Sequence, residues 1–158
     1  MLEVASEKGL PVGFDPTFNQ QLEVKGVTLA TPNYAEAVAA AGLTSVPTAY
    51  EGHCDMLLAE AGRVLSAKWH PELMIITLGP RGMYLHSRDG QTRTIPTLAR
   101  EVYDVSGAGD TVIAAAMLAL LGGASHDEAA GLANFAAGIV VGRIGAATCT
   151  RQDLVAHD

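Results

Sequence analysis

Apolar and polar positions along this chain recur at two periods, and the switches between them mark out the expected elements. Pro11-Val-Gly-Phe14 is a short apolar run ending at Asp15-Pro16, which predicts a strand and then a loop. Val27-Thr-Leu-Ala30 predicts a second strand, stopped by Thr31-Pro32-Asn33. Tyr34 to Ala41 predicts a helix closed by Gly42, and Thr44 to Gly52, with Pro47 inside it, predicts a loop. From Cys54 to Trp69 apolar residues fall at Met56, Leu57, Ala61, Val64, Leu65 and Ala67, the spacing of a helix with one wet face. Leu73-Met-Ile-Ile-Thr-Leu78 is nearly continuous in its apolar residues, as in a strand buried on both faces. Gly79-Pro-Arg-Gly82 turns the chain. Met83 to His86 and Thr92 to Pro96, around Arg88-Asp-Gly90, predict a hairpin. Thr111 to Leu121 predicts a buried helix, broken by Gly122-Gly123. Ser125-His-Asp-Glu128 is a capping box for a helix from His126 to about Arg143. Gly145 to Thr148 is loop or a short strand, and Thr150-Arg-Gln-Asp153 caps a last helical turn.

Strands alternate with helices and no repeat is visible, so the class is α/β with a mostly parallel sheet. Ligands of such sheets sit beyond the carboxyl ends of the strands. Asp15, Asn33, Gly79 and the Gly107–Asp110 loop all follow strands or strand-like runs.

Composition narrows the class further. The chain has 158 residues, 49% hydrophobic and 17% charged, which suits one ordered domain spanning 1–158. Net charge is −7 without a basic cluster, which argues against nucleic acid or an anionic membrane as partner. Any phosphate must then be held by backbone N–H groups, metal and a few side chains. Cys54 and Cys149 lie far apart without metal-ligand spacing, which fits two buried free thiols in a reducing compartment. Met1 to Leu10 is mixed and charged, unlike a signal peptide, and the expected location is cytoplasmic.

The chemistry concentrates in Asp104-Val-Ser-Gly-Ala-Gly-Asp110. Gly107, Ala108 and Gly109 carry almost no side chain, so an anion can approach the backbone where a helix opens. The unpaired N–H groups and the helix dipole there favour negative charge. Asp110 at the mouth suits a general base for phosphoryl transfer. A plain tight turn with Asp110 as a first-turn acid is the competing reading. Three other places carry similar pairs of readings. Asn33 and Glu36, three apart, can order Mg²⁺ through water, or simply cap a helix. Thr77, Gly79, Arg81 and Gly82 can line a nucleotide, or form an ordinary glycine turn. Asn134 is a lone polar residue in an apolar helix, where a satisfied buried amide is the simpler explanation.

Asp104 to Met117 resembles the second signature of the PfkB, ribokinase-like carbohydrate kinases. The resemblance implies a ribokinase-like fold, a Rossmann-like three-layer arrangement of helices on a sheet. In that family the Gly-Ala-Gly-Asp run is the anion hole and the base, which assigns Gly107, Ala108, Gly109 and Asp110. Asn33-Tyr-Ala-Glu36 resembles the family's Mg²⁺ and phosphate element. Thr77, Gly79, Arg81 and Gly82 match the segment along the ATP phosphates and ribose. Asn134 matches an Asn beside adenine. Relatives often bind a monovalent cation such as K⁺, for which Asp104, Ser106 and Gly145 are the candidates here.

Thr31-Pro32 and Val140 to Thr148 resemble the branch that phosphorylates heptose 7-phosphate at carbon 1. That branch has Asp-Pro-Lys where this chain has Asp15-Pro16-Thr17, so the lysine's phosphate contact is missing. Ribose or fructose are the alternative acceptors. The resemblance spans only the carboxyl-terminal, nucleotide-binding half of the family's domain. It implies an ATP-dependent sugar kinase that is incomplete alone, with a homo-oligomer or a complementing amino-terminal half as partner. A non-catalytic nucleotide-binding or structural remnant is the rival reading.

Overall fold

The computed structural model describes residues 2–17, 24–43, 51–99 and 101–156. The elements run α1 (Leu2–Glu7), β1 (Gly13–Phe14), β2 (Leu29–Ala30), α2 (Tyr34–Ala40), α3 (Glu51–Trp69), β3 (Leu73–Thr77), β4 (Met83–Ser87), β5 (Thr92–Ile95), α4 (Ala108–Leu121), α5 (His126–Val141) and α6 (Arg151–Val155). The strands form one mixed sheet in the order β1-β2-β3-β4-β5. β1, β2 and β3 are parallel, with Gly13 opposite Leu29 and Leu29 opposite Leu73. A parallel pair needs a crossover, and α2 and α3 supply it between β2 and β3. β3 reads as its sequence suggests: Leu73, Met74, Ile75 and Ile76 are all buried, each removing a large apolar side chain from water.

The chain divides into two compact units. Unit 1 is Met1–Thr77 with Tyr84–Arg93. Its core gathers Val27, Leu29, Leu58, Leu65, Trp69 and β3, and Phe14 meets Trp69 edge to face at 5.1 Å. Unit 2 is Leu78–Met83 with Thr94–Asp158. There α4 and α5 pack through small residues: Val112 and Ala116 on one helix, Ala129, Ala133, Ala136 and Val140 on the other are buried. Small side chains let two helix backbones approach closely, so an Ala-rich seam suffices without large residues.

Several expectations change. Residues 2–7 form a helix, but it buries no side chain, which is why it leaves no apolar pattern. α3 starts at Glu51, so the predicted loop up to Gly52 ends earlier, and residues 44–50 lie outside the described ones. Gly145 to Thr148 is not a strand, and neither is the run before Gly107; both are irregular. The thiol of Cys149 is free but only half-buried, and the side chain of Cys54 lies outside the described residues. No helix among the described residues is long and apolar enough to cross a membrane.

Candidate functional site

In unit 1 the polar residues line up at the carboxyl ends of parallel strands. Thr31, just past β2, is buried, and its hydroxyl donates to Asp15 Oδ1 at 3.3 Å, just past β1. Two residues further, Asn33 bridges Thr77 at the end of β3. Asn33 then caps α2. Its Oδ1 accepts from the Glu36 N–H at 2.9 Å, and Glu36 Oε2 accepts from the Asn33 N–H at 2.8 Å. This reciprocal box satisfies two donors that a helix start leaves unpaired. The cap alone therefore accounts for this pair locally. A carboxylate accepts at both oxygens, so Glu36 retains acceptor capacity beyond the cap. No group of three or more His, Cys, Asp or Glu among the described residues has metal-holding geometry. A Mg²⁺ that keeps its waters and leans on nucleotide phosphates needs only one or two protein carboxylates, and this donor set fits that mode.

In unit 2 the segment Gly79–Arg81 is a single 3₁₀ turn containing Pro80, with Arg81 exposed. Gly79 and Gly82 both hold positive φ, but for different reasons. A Cβ on Gly79 would meet nothing within 4 Å, so the space above it is open. A Cβ on Gly82 would overlap the carbonyl oxygen of Ile95, so that glycine is required by the fold itself.

Gly107 is the N-cap of α4 at φ +78°, with no side chain to cap the helix and open space where a Cβ would stand. The Ala108 N–H donates to Val105 O at 3.2 Å, and the Thr111 N–H and hydroxyl both donate to Gly107 O. Among the described residues no carbonyl takes the N–H groups of Gly109 and Asp110. Two donors at the positive end of a fourteen-residue helix are thus left for an anion. Asp110 is the third residue of that helix and is exposed. The loop before it is tied down by Asp104, whose Oδ1 accepts from the Ser106 N–H at 2.9 Å and whose Oδ2 accepts from the Gly145 N–H at 3.2 Å. The Ser106 backbone and side chain hold the Asp104 carboxyl below its ordinary range; burial opposes them, and the Gly145 N–H adds a share smaller than that opposition. The three residues named for a monovalent cation are therefore brought together.

Asn134 is 5% exposed on α5, and its Nδ2 donates to the Pro96 carbonyl at 2.7 Å. Its buried amide is satisfied there by backbone. On the neighbouring stripe of α5 lies a cleft of about 630 Å³, lined by Leu98, Glu101, Phe135, Gly138, Ile139, Gly142 and Arg143. The sequence reading missed this cleft. The signal was Gly138 and Gly142, four apart, which strip one helix face; a Cβ at Gly138 would sit 3.2 Å from Ala99 N. Arg143, in its lining, is paired with Asp153 and donates through Nη1 to Thr148 O at 2.9 Å.

Comparison with known proteins gives a consistent result. The model of the "pfkB family carbohydrate kinase" matches residues 2–153. The "Bifunctional protein HldE" of Geobacter metallireducens is 43% identical over 155 residues, 98% of this chain but 30% of the relative. HldE of Coxiella burnetii is 42% identical over 156 residues, 98% of this chain and 31% of the relative. Among solved structures, Thermotoga maritima ribokinase superposes with a TM-score of 0.78 at 26% identity, covering 98% of this chain and 51% of its own. Arabidopsis thaliana ribokinase, complexed with ribose and ATP, gives 0.78 at 23% identity over 98% and 49%. The fold is ribokinase-like, and the chain spans about half the length of these structures and under a third of the HldE proteins.

Proposed function

The chain belongs to the pfkB family of carbohydrate kinases, and we propose on that premise that it is the nucleotide-holding, base-carrying part of an ATP-dependent kinase acting on heptose 7-phosphate at carbon 1. One observation carries the catalytic part of this reading: the start of α4. Left-handed Gly107, the unpaired N–H groups of Gly109 and Asp110, and the exposed Asp110 carboxylate all meet within four residues. Phosphoryl transfer depends on positioning and charge stabilisation, with little covalent work for the protein. Bound Mg·ATP supplies the phosphoryl group and part of the charge neutralisation. The Gly109 and Asp110 N–H groups stabilise negative charge on the transferring group, and Asp110 takes the proton of the attacking hydroxyl. Asn33 and Glu36 act on the metal through water, with Thr77, Gly79, Arg81, Gly82 and Asn134 along the nucleotide. Asp104, Ser106 and Gly145 form the candidate K⁺ site. Similarity to HldE over nearly the whole chain, with Thr31-Pro32 and Val140 to Thr148, supports the heptose 7-phosphate acceptor.

Calorimetry with Mg·ADP on the folded chain tests the donor half. Binding that weakens without Mg²⁺ is expected, and a null result favours a structural remnant. The chain alone is expected to turn over little sugar, because the acceptor clamp lies in the part of the fold that this chain does not span. Complemented with an amino-terminal half, it should consume ATP most strongly with heptose 7-phosphate; a preference for ribose or fructose discards the heptose assignment. In that complex Asp110→Asn should leave nucleotide affinity nearly unchanged and lower turnover by ~10²-fold or more. Turnover at the parental rate removes Asp110 from the role of base.

A further inference from the structure

Between α5 and α6 the chain is irregular from Gly142 to Thr150. Among the described residues, no backbone–backbone hydrogen bond involves residues 144–149. Side chains hold this loop instead. Arg143 closes its base: Nη1 donates to Thr148 O at 2.9 Å, and Nη2 donates to Asp153 Oδ1 on α6. Asp153 Oδ2 takes the Thr150 N–H at 2.7 Å and the Thr150 hydroxyl at 2.6 Å. Arg143, and after it Thr150, hold the Asp153 carboxyl well below its ordinary range, so the pair is ionised at mild pH. A guanidinium suits this place because its flat fork reaches two acceptors at once, whereas an ammonium is a point charge.

The middle of the loop is held from the other side. Gly145 stands at φ +80°, and its N–H donates to Asp104 Oδ2 at 3.2 Å. The other oxygen of that carboxylate takes the Ser106 N–H, in the turn that delivers Gly107 to the start of α4. One carboxylate therefore spans the loop after α5 and the anion-binding end of α4. We propose that Arg143 is a positioning residue for that end. By tying Thr148 and α6 together it fixes where Gly145 stands. Gly145 fixes how Asp104 is turned, and Asp104 sets the turn that aims the Gly109 and Asp110 N–H groups. Donors already in place bind an anion more tightly than donors that must first be ordered. The inference rests on the kinase reading and deepens it: the Arg143–Asp153 pair acts on phosphate through backbone, not through contact of the guanidinium with the ligand.

The test uses the whole chain at one K⁺ concentration. Calorimetry measures the Mg²⁺ complexes of ADP and of β,γ-imido-ATP, and amide hydrogen exchange is followed on the free protein. The pair is partly exposed, so Arg143→Ala and Asp153→Asn should each weaken β,γ-imido-ATP by roughly 2- to 5-fold, and ADP less. The double variant should lose little more than either alone, because both changes break one clamp. Arg143→Lys, which keeps the charge without the fork, should fall between the parent and Arg143→Ala. Asp153→Asn leaves the Arg143 charge in place. Were the guanidinium a direct phosphate ligand, that variant would hold or gain affinity, and this result overturns the proposal. Arg151→Ala removes a neighbouring positive charge outside the clamp and should change neither affinity. A loss equal to that of Arg143→Ala overturns the proposal in favour of plain charge attraction. With circular dichroism at parental values, the Gly145 and Ser106 amides should exchange faster in both clamp variants; parental exchange there also overturns it. Should Arg143→Ala fail to fold, the milder Asp153→Asn decides by the same criteria. Failure of the parent chain to bind either nucleotide counts against the kinase reading, and exchange at Gly145 and Ser106 then still decides whether the pair braces this turn.

Discussion

Gly79 and Gly82 bracket one 3₁₀ turn, share positive φ, and differ in what surrounds them. At Gly79 the missing side chain leaves open space, so Gly79→Ala meets only the backbone penalty, about 1–2 kcal/mol. At Gly82 the same change also drives a methyl into the Ile95 carbonyl. Gly82→Ala is therefore expected to cost roughly 2 kcal/mol or more, and clearly more than Gly79→Ala, in urea unfolding. Equal losses would mean that the backbone at Ile95 yields easily. The comparison also separates two uses of glycine that look identical in the string Gly-Pro-Arg-Gly. One leaves open space beside the turn, and the other lets two backbone segments touch.

Three helices, α2, α5 and α6, start with the same device, a side-chain oxygen at the cap and an acid three residues on. Ser125 and Glu128 at α5 were legible in the sequence because polar residues at that spacing stand directly before an apolar run. Ser125→Ala removes the acceptor for the Glu128 N–H and is expected to cost about 1 kcal/mol by thermal or urea unfolding. A loss near zero would show that water replaces the cap. At α2 the box has the same geometry, but its residues resemble a family element that is proposed here to act on metal. Sequence spacing left both readings of Asn33 and Glu36 open, and the cap geometry is compatible with each. At α4 the device is absent: a left-handed glycine stands where a capping side chain would be. Helix α4, which has no side-chain cap, is the one whose free N–H groups the proposed chemistry uses.

Among the described residues of the folded chain, one titration stands out at mild pH. His86 lies against Gly62, whose position a Cβ would crowd to 2.9 Å from His86 Nδ1, and that nitrogen is buried without a hydrogen-bond partner among the described residues. Burial lowers its pKa below the ordinary value, with Asp89 opposing in part. The folded state then binds fewer protons than the unfolded chain. The contribution of His86 is complete above the unfolded pKa, about 6.5, and is lost as pH falls through the folded value. Asp104, Glu128 and Asp153, all held low, lose their contributions only under more acidic conditions. Urea midpoints between pH 7.5 and 5 are expected to fall with pH, and His86→Gln should flatten that fall. An unchanged slope in the variant would assign the loss to other groups.

The sequence alone determined the α/β class, the order and approximate bounds of most elements, the caps of α5 and α6, and the family, because each rests on local spacing. Capping boxes, glycine turns and apolar periods are written within a few residues of one another. Only the tertiary structure decided that Gly82 faces Ile95, that Asp104 clasps Gly145, and that Asn134 is satisfied by Pro96. It alone revealed a cleft along Gly138 and Gly142, and an outer face of α4 left uncovered. These facts join residues far apart in the chain or concern what stands outside it. A string of residues states which helix is apolar all round; whether both sides are covered depends on what else has folded against it.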